Sequence, residues 1–328
     1  YFLTVRNGGT KALENVQHGN EKVLRARLDD AKFFFENDRK KTLEGHRDDL
    51  TRINYQEGMG DMRDKADRLQ KLTEAIGKDW GFTAEEAADA DRAAFLSKSD
   101  LATGMVTEFT ELQGEMGKEY ALLDGEKPEV AQAIFEQYMP RFAGDILPQQ
   151  EIGRALSLAD KLDNLAATFL RGLIPTGSQD PFALRRQTIG AVNILTDGKI
   201  HWDIRRGIEA ALALLPGDEE TKKTVLSQIE DFFRQRIKAI MLDEGIAYDI
   251  IDAVLAGPVD DIYALFLKAR SMAESQLKDE AELRQAVTRL ANITKGKTGG
   301  KVDPSLFTED VEKKLQDAFE AVSAKALP

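Results

Sequence analysis

Cysteine is absent from this sequence of 328 residues. Without thiols the chain has no disulfide framework, no thiolate nucleophile and no zinc–cysteine centre, and a reducing, cytoplasmic setting fits this composition. Apolar runs of about 18 residues are also missing, so neither a membrane span nor a membrane partner is predicted. Histidine is scarce, since the chain has only His18, His46 and His201. Transition-metal centres usually place several imidazoles beside their carboxylates, and the sequence argues against such a centre.

Acidic side chains outnumber basic ones, 57 against 45, and the formal net charge is −12 at pH 7. Proteins that coat nucleic acid non-specifically are usually basic, so this charge argues against that class but allows a local basic face. Hydrophobic residues make up 42% of the chain, which is enough for buried cores. The length exceeds that of one ordinary domain and predicts two or three structural units.

The first residues are apolar and favour β-structure. Tyr1–Val5 has the composition of a strand, and the turn signal Asn7-Gly8 follows it. A chain that begins inside a strand and without Met is expected to be a fragment of a longer subunit, lacking its N-terminal part. The next segment, Gly19–Phe35, has helical periodicity, with Asn20 as its predicted N-cap.

Two stretches combine a helical apolar stripe with acidic side chains. In Arg92–Ala121 the apolar residues recur at steps of three and four, the period of a helix. They are Leu101, Met105, Phe109, Leu112 and Met116. Ala155–Ala166 has the same spacing. Acidic residues lie beside the apolar stripe in both stretches: Asp100 in the first, and Asp160 and Asp163 in the second. A helical metal phosphohydrolase would build its site from this arrangement.

Glycines and capping signals punctuate these helices. Gly104, Gly114 and Gly117 each cost about 1 kcal/mol relative to Ala inside a helix. We predict that they allow close approach between helices, with approach of a ligand as the alternative.

Start and stop signals give further boundaries. Thr83–Glu86 has the spacing of a capping box, and Pro128 suits the first position of a helix. The loop Arg171–Pro181, rich in Pro and Gly, is the clearest boundary in the chain.

The acidic positions resemble the HD-type helical domain, in which a His-Asp pair on one helix and an Asp on a later helix bind a divalent metal. Ser99 stands where the His would be, and Lys98 precedes it. The three acids alone would make an oxygen-only site suited to Mg²⁺ or Mn²⁺. Lys98 instead suggests that an internal cation neutralises Asp100. We therefore interpret one set of residues as a vestigial HD-like site without metal: Lys98, Asp100, Asp160 and Asp163.

Several motifs, in order along the chain, resemble the β subunit of the bacterial heterotetrameric glycyl-tRNA synthetase family. They are Gly19–Phe35, Lys98–Leu101, Met105–Gly114, Ala159–Asp163, Arg171–Pro181 and Phe182–Gly190. Two later segments, Phe232–Gly245 and Ala286–Ile293, resemble the helical anticodon-binding domain shared with arginyl-tRNA synthetase. The resemblance covers nearly the whole chain.

The resemblance implies a mostly α-helical fold in four parts. These are a remnant of an α/β domain at 1–60, an HD-like helical domain at 61–180, connecting helices at 181–225 and a helical anticodon-binding domain at 226–328. It also implies a subunit of glycine–tRNA ligase that binds and positions tRNA(Gly), while a separate α subunit carries out ATP-dependent glycylation in a tetramer of two α and two β chains. No catalytic residue and no cofactor is expected in this chain, whereas the whole enzyme would use ATP and Mg²⁺.

Clustered cations in an otherwise acidic chain are the candidates for contacts with tRNA phosphates. They are Arg185, Arg186, Arg205, Arg206, Arg234, Arg236 and Lys238. Further along, Arg289, Asn292 and Lys295 recur at steps of three. Base reading in an anticodon loop would add stacking and edge contacts on unpaired bases. The alternative for each cation is a surface ion pair with neighbours such as Asp203, Glu230 and Asp231.

Two other functions stay open at this point. One is a stand-alone, metal-dependent HD-type phosphohydrolase that acts on nucleotides or RNA ends, and the other is a helical interaction scaffold with no tRNA role. The sequence has no Gly-x-Ser-x-Gly elbow and no phosphate-binding P-loop, so the common nucleophilic and nucleotide-binding motifs are not predicted.

Overall fold

The computed structural model of the chain describes residues 2–175, 179–274, 285, 288, 289, 292–295 and 302–326. These residues are mostly α-helical and form no β-strand longer than an isolated bridge, which confirms the predicted fold class. The chain divides into two compact units, Tyr1–Ala273 and Glu274–Pro328. In the second unit, a 3-10 turn at Pro304–Leu306 precedes the helix Asp310–Ala326.

The first unit is built from helices joined by short loops and 3-10 turns. The first seven are α1 Leu13–Asp38, α2 Leu43–His46, α3 Met62–Trp80, α4 Ala84–Leu96, α5 Gly104–Glu108, α6 Glu115–Leu123 and α7 Pro128–Glu136. The next six are α8 Glu151–Leu170, α9 Leu184–Asp197, α10 Ile204–Ala213, α11 Glu219–Asp243, α12 Tyr248–Val254 and α13 Ile262–Glu274. No helix of the described part combines the length and the apolar composition that a bilayer crossing requires.

The predicted N-terminal strand is wrong. Residues 2–5 are exposed and have no regular structure, while Tyr1 lies outside the described residues. Apolar composition gives only a propensity, and a strand also needs a neighbouring strand to accept its hydrogen bonds. No such neighbour exists in the described part of the chain, and the expected α/β remnant is therefore not seen there. Helix α1 begins at Leu13, so Asn20 lies inside it and does not act as the N-cap.

The predicted single helix over Arg92–Ala121 is also wrong, because the stretch breaks into short helices. Helix α4 ends at Leu96, Lys98 has a positive φ of 65°, and 3-10 turns flank α5. The Thr103 hydroxyl accepts the Val106 N–H and starts α5 afresh. Gly114, with a φ of 86°, then separates α5 from α6. The apolar residues of the stripe are nevertheless buried or half-buried, so periodicity identified the buried face but not the breaks.

Other boundaries agree with the structure. Thr83 and Glu86 form the predicted capping box of α4, and Pro128 occupies the first position of α7. The second acid-bearing stretch, Ala155–Ala166, lies within α8. Arg171–Pro181 separates α8 from α9, with residues 176–178 outside the described set.

Helix α8 is the centre of the first unit. From Ile152 to Phe169 its side chains are buried except for Arg154 and Asn164, which are half-buried. A helix that is covered on all sides must lie inside a bundle, and α3, α4, α7, α9, α10 and α11 all pack against it. Phe169 of α8 meets Phe232 of α11 edge to face, with ring centroids 5.3 Å apart.

One hydrophobic core extends from the helices around α8 to α12 and α13. It therefore includes residues from all four predicted domains, Leu43 and Met59 from the first among them. The predicted subdivision at 60, 180 and 225 stays a prediction, and residues 275–284 and 296–301 of the last part lie outside the described residues.

The glycines of the broken stretch confirm the prediction of close helix approach. A Cβ atom on Gly104 would lie 2.7 Å from the ring of Phe34. One on Gly117 would lie 2.9 Å from Ile134 Cγ2 and 3.2 Å from Asp100 Cβ. The two distances under 3 Å are too short for a carbon contact, so glycine lets α5 approach α1 at Gly104 and lets α6 approach α7 at Gly117.

Alanine at Gly117 is expected to destabilise the fold by about 1–3 kcal/mol, because the added methyl group overpacks the contact with Ile134. Gly19, in the exposed part of α1, provides the matched control, since a Cβ there meets nothing within 4 Å. Gly19→Ala should stabilise the fold by up to about 1 kcal/mol through helix propensity. Urea unfolding of both variants measures the two effects, and equal effects of one sign would contradict the packing argument.

Candidate functional site

Charged side chains meet in the interior between α3, α8 and the turn after α4. We call this set the buried charge cluster: Lys65, Arg68, Lys98, Asp160 and Asp163. Asp160 and Asp163 are three residues apart and share one face of α8, and Lys65 and Arg68 do the same on α3. None of the five is more than 8% exposed. Charges this deep must pair with one another, because burial removes their hydration.

Lys65 joins the two carboxylates. Its Nζ lies 2.9 Å from Asp160 Oδ1, an ion pair without hydrogen-bond geometry, and 2.9 Å from Asp163 Oδ2, to which it donates a hydrogen bond. It also donates to Asn164 Oδ1 at 2.9 Å, and that oxygen accepts from the Tyr55 hydroxyl at 2.8 Å. One ammonium group therefore acts as the shared counter-ion of both acids.

Each acid has a second cation. Lys98 Nζ donates to Asp160 Oδ2 at 3.0 Å, and its ammonium lies 4.0 Å from the centre of the Tyr138 ring. Arg68 binds Asp163 through both arms of its guanidinium, with Nε 2.6 Å from Oδ1 and Nη2 3.2 Å from Oδ2. A bidentate guanidinium fixes the carboxylate in orientation as well as in charge.

The pairing decides which groups are charged. Burial alone would raise the pKa of Asp160, but the neighbouring Lys65 and Lys98 outweigh it and hold that pKa well below its usual value. The pKa of Asp163 is lowered too, because Lys65 and Arg68 outweigh its burial. Burial would lower the pKa of Lys65, but the two carboxylates raise it instead. Both acids and Lys65 are therefore charged at neutral pH.

Asp100 has different partners. Its Oδ2 accepts the Gly114 N–H at 2.7 Å and its Oδ1 accepts the Tyr138 hydroxyl at 2.8 Å. Burial raises its pKa. Lys98 does not pair with Asp100 as the sequence suggested, because its ammonium reaches across to Asp160 on α8. Asp100 thus fastens the loop before α6 to Tyr138, next to the buried charge cluster but with its own hydrogen bonds.

The sequence pattern anticipated Lys98, Asp160 and Asp163, which the structure brings together, but it missed Lys65 and Arg68. A signal was present, since Lys65 precedes Leu69 by four residues and so lies on the buried face of α3. Across the described residues, no group of three or more His, Asp or Glu side chains is arranged to hold a metal ion. The vestigial HD-like interpretation itself stays a prediction.

Lys161 lies beside the cluster without an acid partner. Its Nζ donates to the Met139 carbonyl at 2.6 Å and to Ser157 Oγ at 2.7 Å. Burial, reinforced by the charges of Lys98 and Lys65, lowers the pKa of Lys161 to about 7. Helix α9 packs directly on this side chain, because a Cβ on Gly190 would lie 2.9 Å from Lys161 Cε.

A cleft with a volume of about 610 Å³ opens between residues 140–147 and the first turns of α9. Arg185 and Arg186 both line it, as do the apolar residues Phe142, Leu147 and Ile189. We call it the α9 cleft. Arg186 is exposed and donates to the Arg141 carbonyl at 3.1 Å. Two of the predicted tRNA contacts therefore share one concave surface.

Other predicted tRNA contacts are engaged in surface ion pairs. Arg205 lies 3.0 Å from Glu209 and 3.1 Å from Glu230, and Arg206 lies 2.8 Å from Asp79. Lys238 pairs with Asp252 at 2.5 Å. For these cations the structure shows the alternative that the sequence left open, although exposed pairs are weak and can exchange partners.

The remaining candidates differ from one another. Arg234 donates to the Leu255 and Gly257 carbonyls and so closes the end of α12. The guanidinium of Arg236 lies 4.1 Å from the centre of the Phe232 ring. Burial lowers the pKa of Arg236, and the charge of Arg185 adds to this shift. In the second unit, three candidates are exposed: Arg289, Asn292 and Lys295.

Replacing Lys65 by Met is expected to destabilise the first unit by about 3–5 kcal/mol, because the two buried carboxylates lose the ammonium group that they share and each keeps a single cation. The loss should shrink as the pH falls from about 5 towards 2. In the wild type the pKa values of both acids are lowered, so the ionised acids stabilise the fold at a pH above the ordinary pKa of a carboxyl group, and acidification removes this stabilisation. In the Lys65 variant, protonation of the acids removes buried negative charge and so reduces the destabilisation. Urea unfolding across this pH range measures the difference.

The control is Lys78→Met on the same helix. Lys78 is 72% exposed and pairs with Glu74 at 2.6 Å, so its loss should change stability by about 0.5 kcal/mol or less. A Lys65 variant as stable as the Lys78 variant would contradict the assigned role of the shared ammonium.

Comparison with known proteins places the chain in a family. Residues 1–256 match the family model described as glycyl-tRNA synthetase beta subunit. The chain is 46% identical over 325 residues to the glycine–tRNA ligase beta subunit of Clostridioides difficile, covering 99% of this chain and 47% of that protein. For the Desulforamulus reducens protein of the same name, identity is 42% over 331 residues, covering 100% and 48%.

The chain spans about half the length of the curated relatives it matches. The agreement nevertheless extends over most of the sequence, through the buried charge cluster, the α9 cleft and α11. This chain belongs to the glycyl-tRNA synthetase beta subunit family.

Proposed function

We propose that this chain is the part of a glycine–tRNA ligase β subunit that holds tRNA(Gly). The full-length subunit would position the tRNA for an α subunit that joins glycine to it with ATP and Mg²⁺, in a cytoplasmic tetramer of two α and two β chains. Family membership carries the proposal, since a relative named glycine–tRNA ligase beta subunit matches 99% of the chain. The chain itself would need no cofactor of its own.

The charge distribution supports an RNA role. The chain carries a net charge of −12, yet Arg185 and Arg186 lie together at the α9 cleft. Guanidinium groups at a surface can pair with the phosphates of RNA, and a local group of them lets an acidic protein bind RNA at one place without coating it.

The buried charge cluster argues against the phosphohydrolase alternative. A divalent metal bound by Asp160 and Asp163 would have to displace Lys65, Lys98 and Arg68, which already neutralise both carboxylates. Those cations are buried beside the carboxylates, so the positive charge that a metal ion would bring is already supplied by the protein. We infer that the acids act as internal anchors for α8 and do not act as metal ligands.

Charge reversal at Arg186 tests the tRNA role. In the full-length β subunit assembled with its α subunit, Arg186→Glu should raise the KM for tRNA(Gly) about tenfold at low salt, because one phosphate contact turns repulsive. The salt slope of tRNA affinity should fall by about one. The kcat should change little, since the substitution lies away from the chemistry assigned to the α subunit. Glycylation kinetics and tRNA binding at two salt concentrations measure these quantities.

Arg270→Glu is the matched control, because Arg270 is exposed and pairs with Glu244 at 2.8 Å outside the α9 cleft. It should leave tRNA affinity close to that of the wild type. Equal loss in both variants would mean that overall charge, and not this surface, controls binding. Turnover of phosphate esters in Mn²⁺ together with stoichiometric bound metal would replace the proposal by the phosphohydrolase alternative.

A further inference from the structure

We propose that the uncovered apolar face of helix α1 is the surface on which the other half of a full-length β subunit packs. By the other half we mean the polypeptide that the curated relatives contain and this chain does not. It is about as long as this chain, which covers 47% of one relative and 48% of another. The proposal depends on family membership and is independent of the tRNA role.

Helix α1 extends well beyond the core of the first unit. It has 26 residues and is therefore about 39 Å long. In its last two turns, three side chains pack against the core: Ala31, Phe34 and Phe35. The side chains of residues 13–30 are exposed, except for those of Val16 and Asn20, which are half-buried. Among the described helices, α5 is the one that packs most extensively on α1, and it does so near the end of α1.

The inner end of α1 is firmly held. Asp38 accepts the backbone N–H groups of Gly104 at 2.8 Å and Met105 at 2.9 Å, and it also accepts the Tyr120 hydroxyl at 2.9 Å. The ring of Phe35 stacks on that of Tyr120, with centroids 5.8 Å apart. These contacts fix the rotation of α1 about its own axis, so they also decide which face its outer turns present.

The buried face of the last turns continues as an apolar stripe along the exposed turns. Residues three and four positions apart share one face of a helix. Such steps lead back from Ala31 along the helix to a group that we call the α1 stripe: Leu13, Val16, Val23, Leu24 and Leu28. Leu13 is 53% exposed and Leu28 is 61% exposed. The same stripe is thus covered at one end of the helix and open along the rest.

A second apolar element lies beside the stripe. Asn20 is on the same side of α1 as the stripe, and its Nδ2 donates to Thr4 Oγ1 at 3.2 Å. This bond holds residues 2–5 next to the helix, where Leu3 and Val5 are fully exposed. Apolar side chains that are exposed singly are ordinary, but a continuous group of them marks a surface that another part of a protein covers.

The character of the surface favours polypeptide of the same subunit over a separate protein. The stripe continues the core of the first unit, and apolar surfaces of this kind are typical of permanent contacts. Arg27, which lies on the same side of α1, already pairs with Glu108 at 2.9 Å. A long helix also draws most of its stability from packing of its apolar face. A covalently linked half is present at high effective concentration as soon as the subunit folds, whereas an α subunit or a second copy arrives only on assembly.

Thiol labelling tests this proposal, because the 328-residue chain contains no cysteine. Leu28→Cys places a thiol on the α1 stripe. In the 328-residue chain this thiol should react freely with a maleimide. In the full-length β subunit without its α subunit it should react at least about tenfold more slowly, because a covered side chain reacts only when the contact opens. Mass spectrometry of the peptide that contains residue 28 measures both rates.

Lys22→Cys is the matched control, since Lys22 is exposed on the opposite face of α1. Its thiol should react at the same rate in the 328-residue chain and in the full-length subunit. Equal protection at both positions would contradict a contact through the stripe. Urea unfolding checks the fold of the Leu28 variant of the 328-residue chain, whose stability should stay within about 0.5 kcal/mol of the wild type because the side chain is exposed.

The other occupants of the stripe give different results. Equal rates at residue 28 in the two proteins would overturn the proposal. Protection that appears only after the α subunit is added would assign the stripe to that subunit, and protection of the 328-residue chain that grows with its concentration would assign it to a second copy. Each of these results also overturns the proposal. None of them involves tRNA, so the proposed function stands or falls separately.

Discussion

The ammonium group of Lys65, held between two buried carboxylates, is the interaction on which the rest of the first unit depends. Asp160 and Asp163 lie on the helix that every neighbouring helix contacts, and neither could stay ionised there without a nearby cation. Apolar side chains could have filled the same space with equal or greater stability. The ion pairs also fix the rotation of α8 about its own axis. Only one rotation brings both acids to Lys65 while Lys98 and Arg68 reach them from either side. We interpret the buried charge cluster as the device that fixes α8 in the bundle.

The orientation of α8 then decides what the surface can do. With its acids turned towards α3, α8 presents Lys161 towards α9, and Gly190 allows α9 to pack directly on that side chain. This contact lies about two turns from the start of α9. Asp180 holds the first turn through two backbone N–H groups, and Arg185 and Arg186 line the cleft beside residues 140–147. Buried contacts thus connect the interior acids to the helix that carries Arg185 and Arg186.

The sequence predicted the helices whose signals are local. The Thr83 capping box, Pro128 and the apolar period of α8 depend on neighbours within a few residues, and all three agree with the structure. The single helix predicted over Arg92–Ala121 was wrong, because periodicity indicates which face of a helix is buried and does not indicate where the helix breaks, as it does at Thr103 and Gly114. Lys65 was missed since a lysine on an apolar stripe gives no sign of its partner, 98 residues away in the chain. The cleft depends on two distant segments and has no signature in either.

The charged residues that suggested a function lie at different depths in this fold. The acids that suggested a hydrolase, Asp160 and Asp163, face inward and are neutralised by the protein's own cations, so they are not available to a substrate. The cations that suggested RNA binding lie nearer the surface, and several of them form ion pairs with neighbouring acids. At the α9 cleft both lining acids are already engaged in structural hydrogen bonds. The cations that stay candidates for RNA binding in this acidic chain are therefore grouped locally, since Arg185 and Arg186 line the cleft where helix α9 begins, together with Asp145 and Asp180.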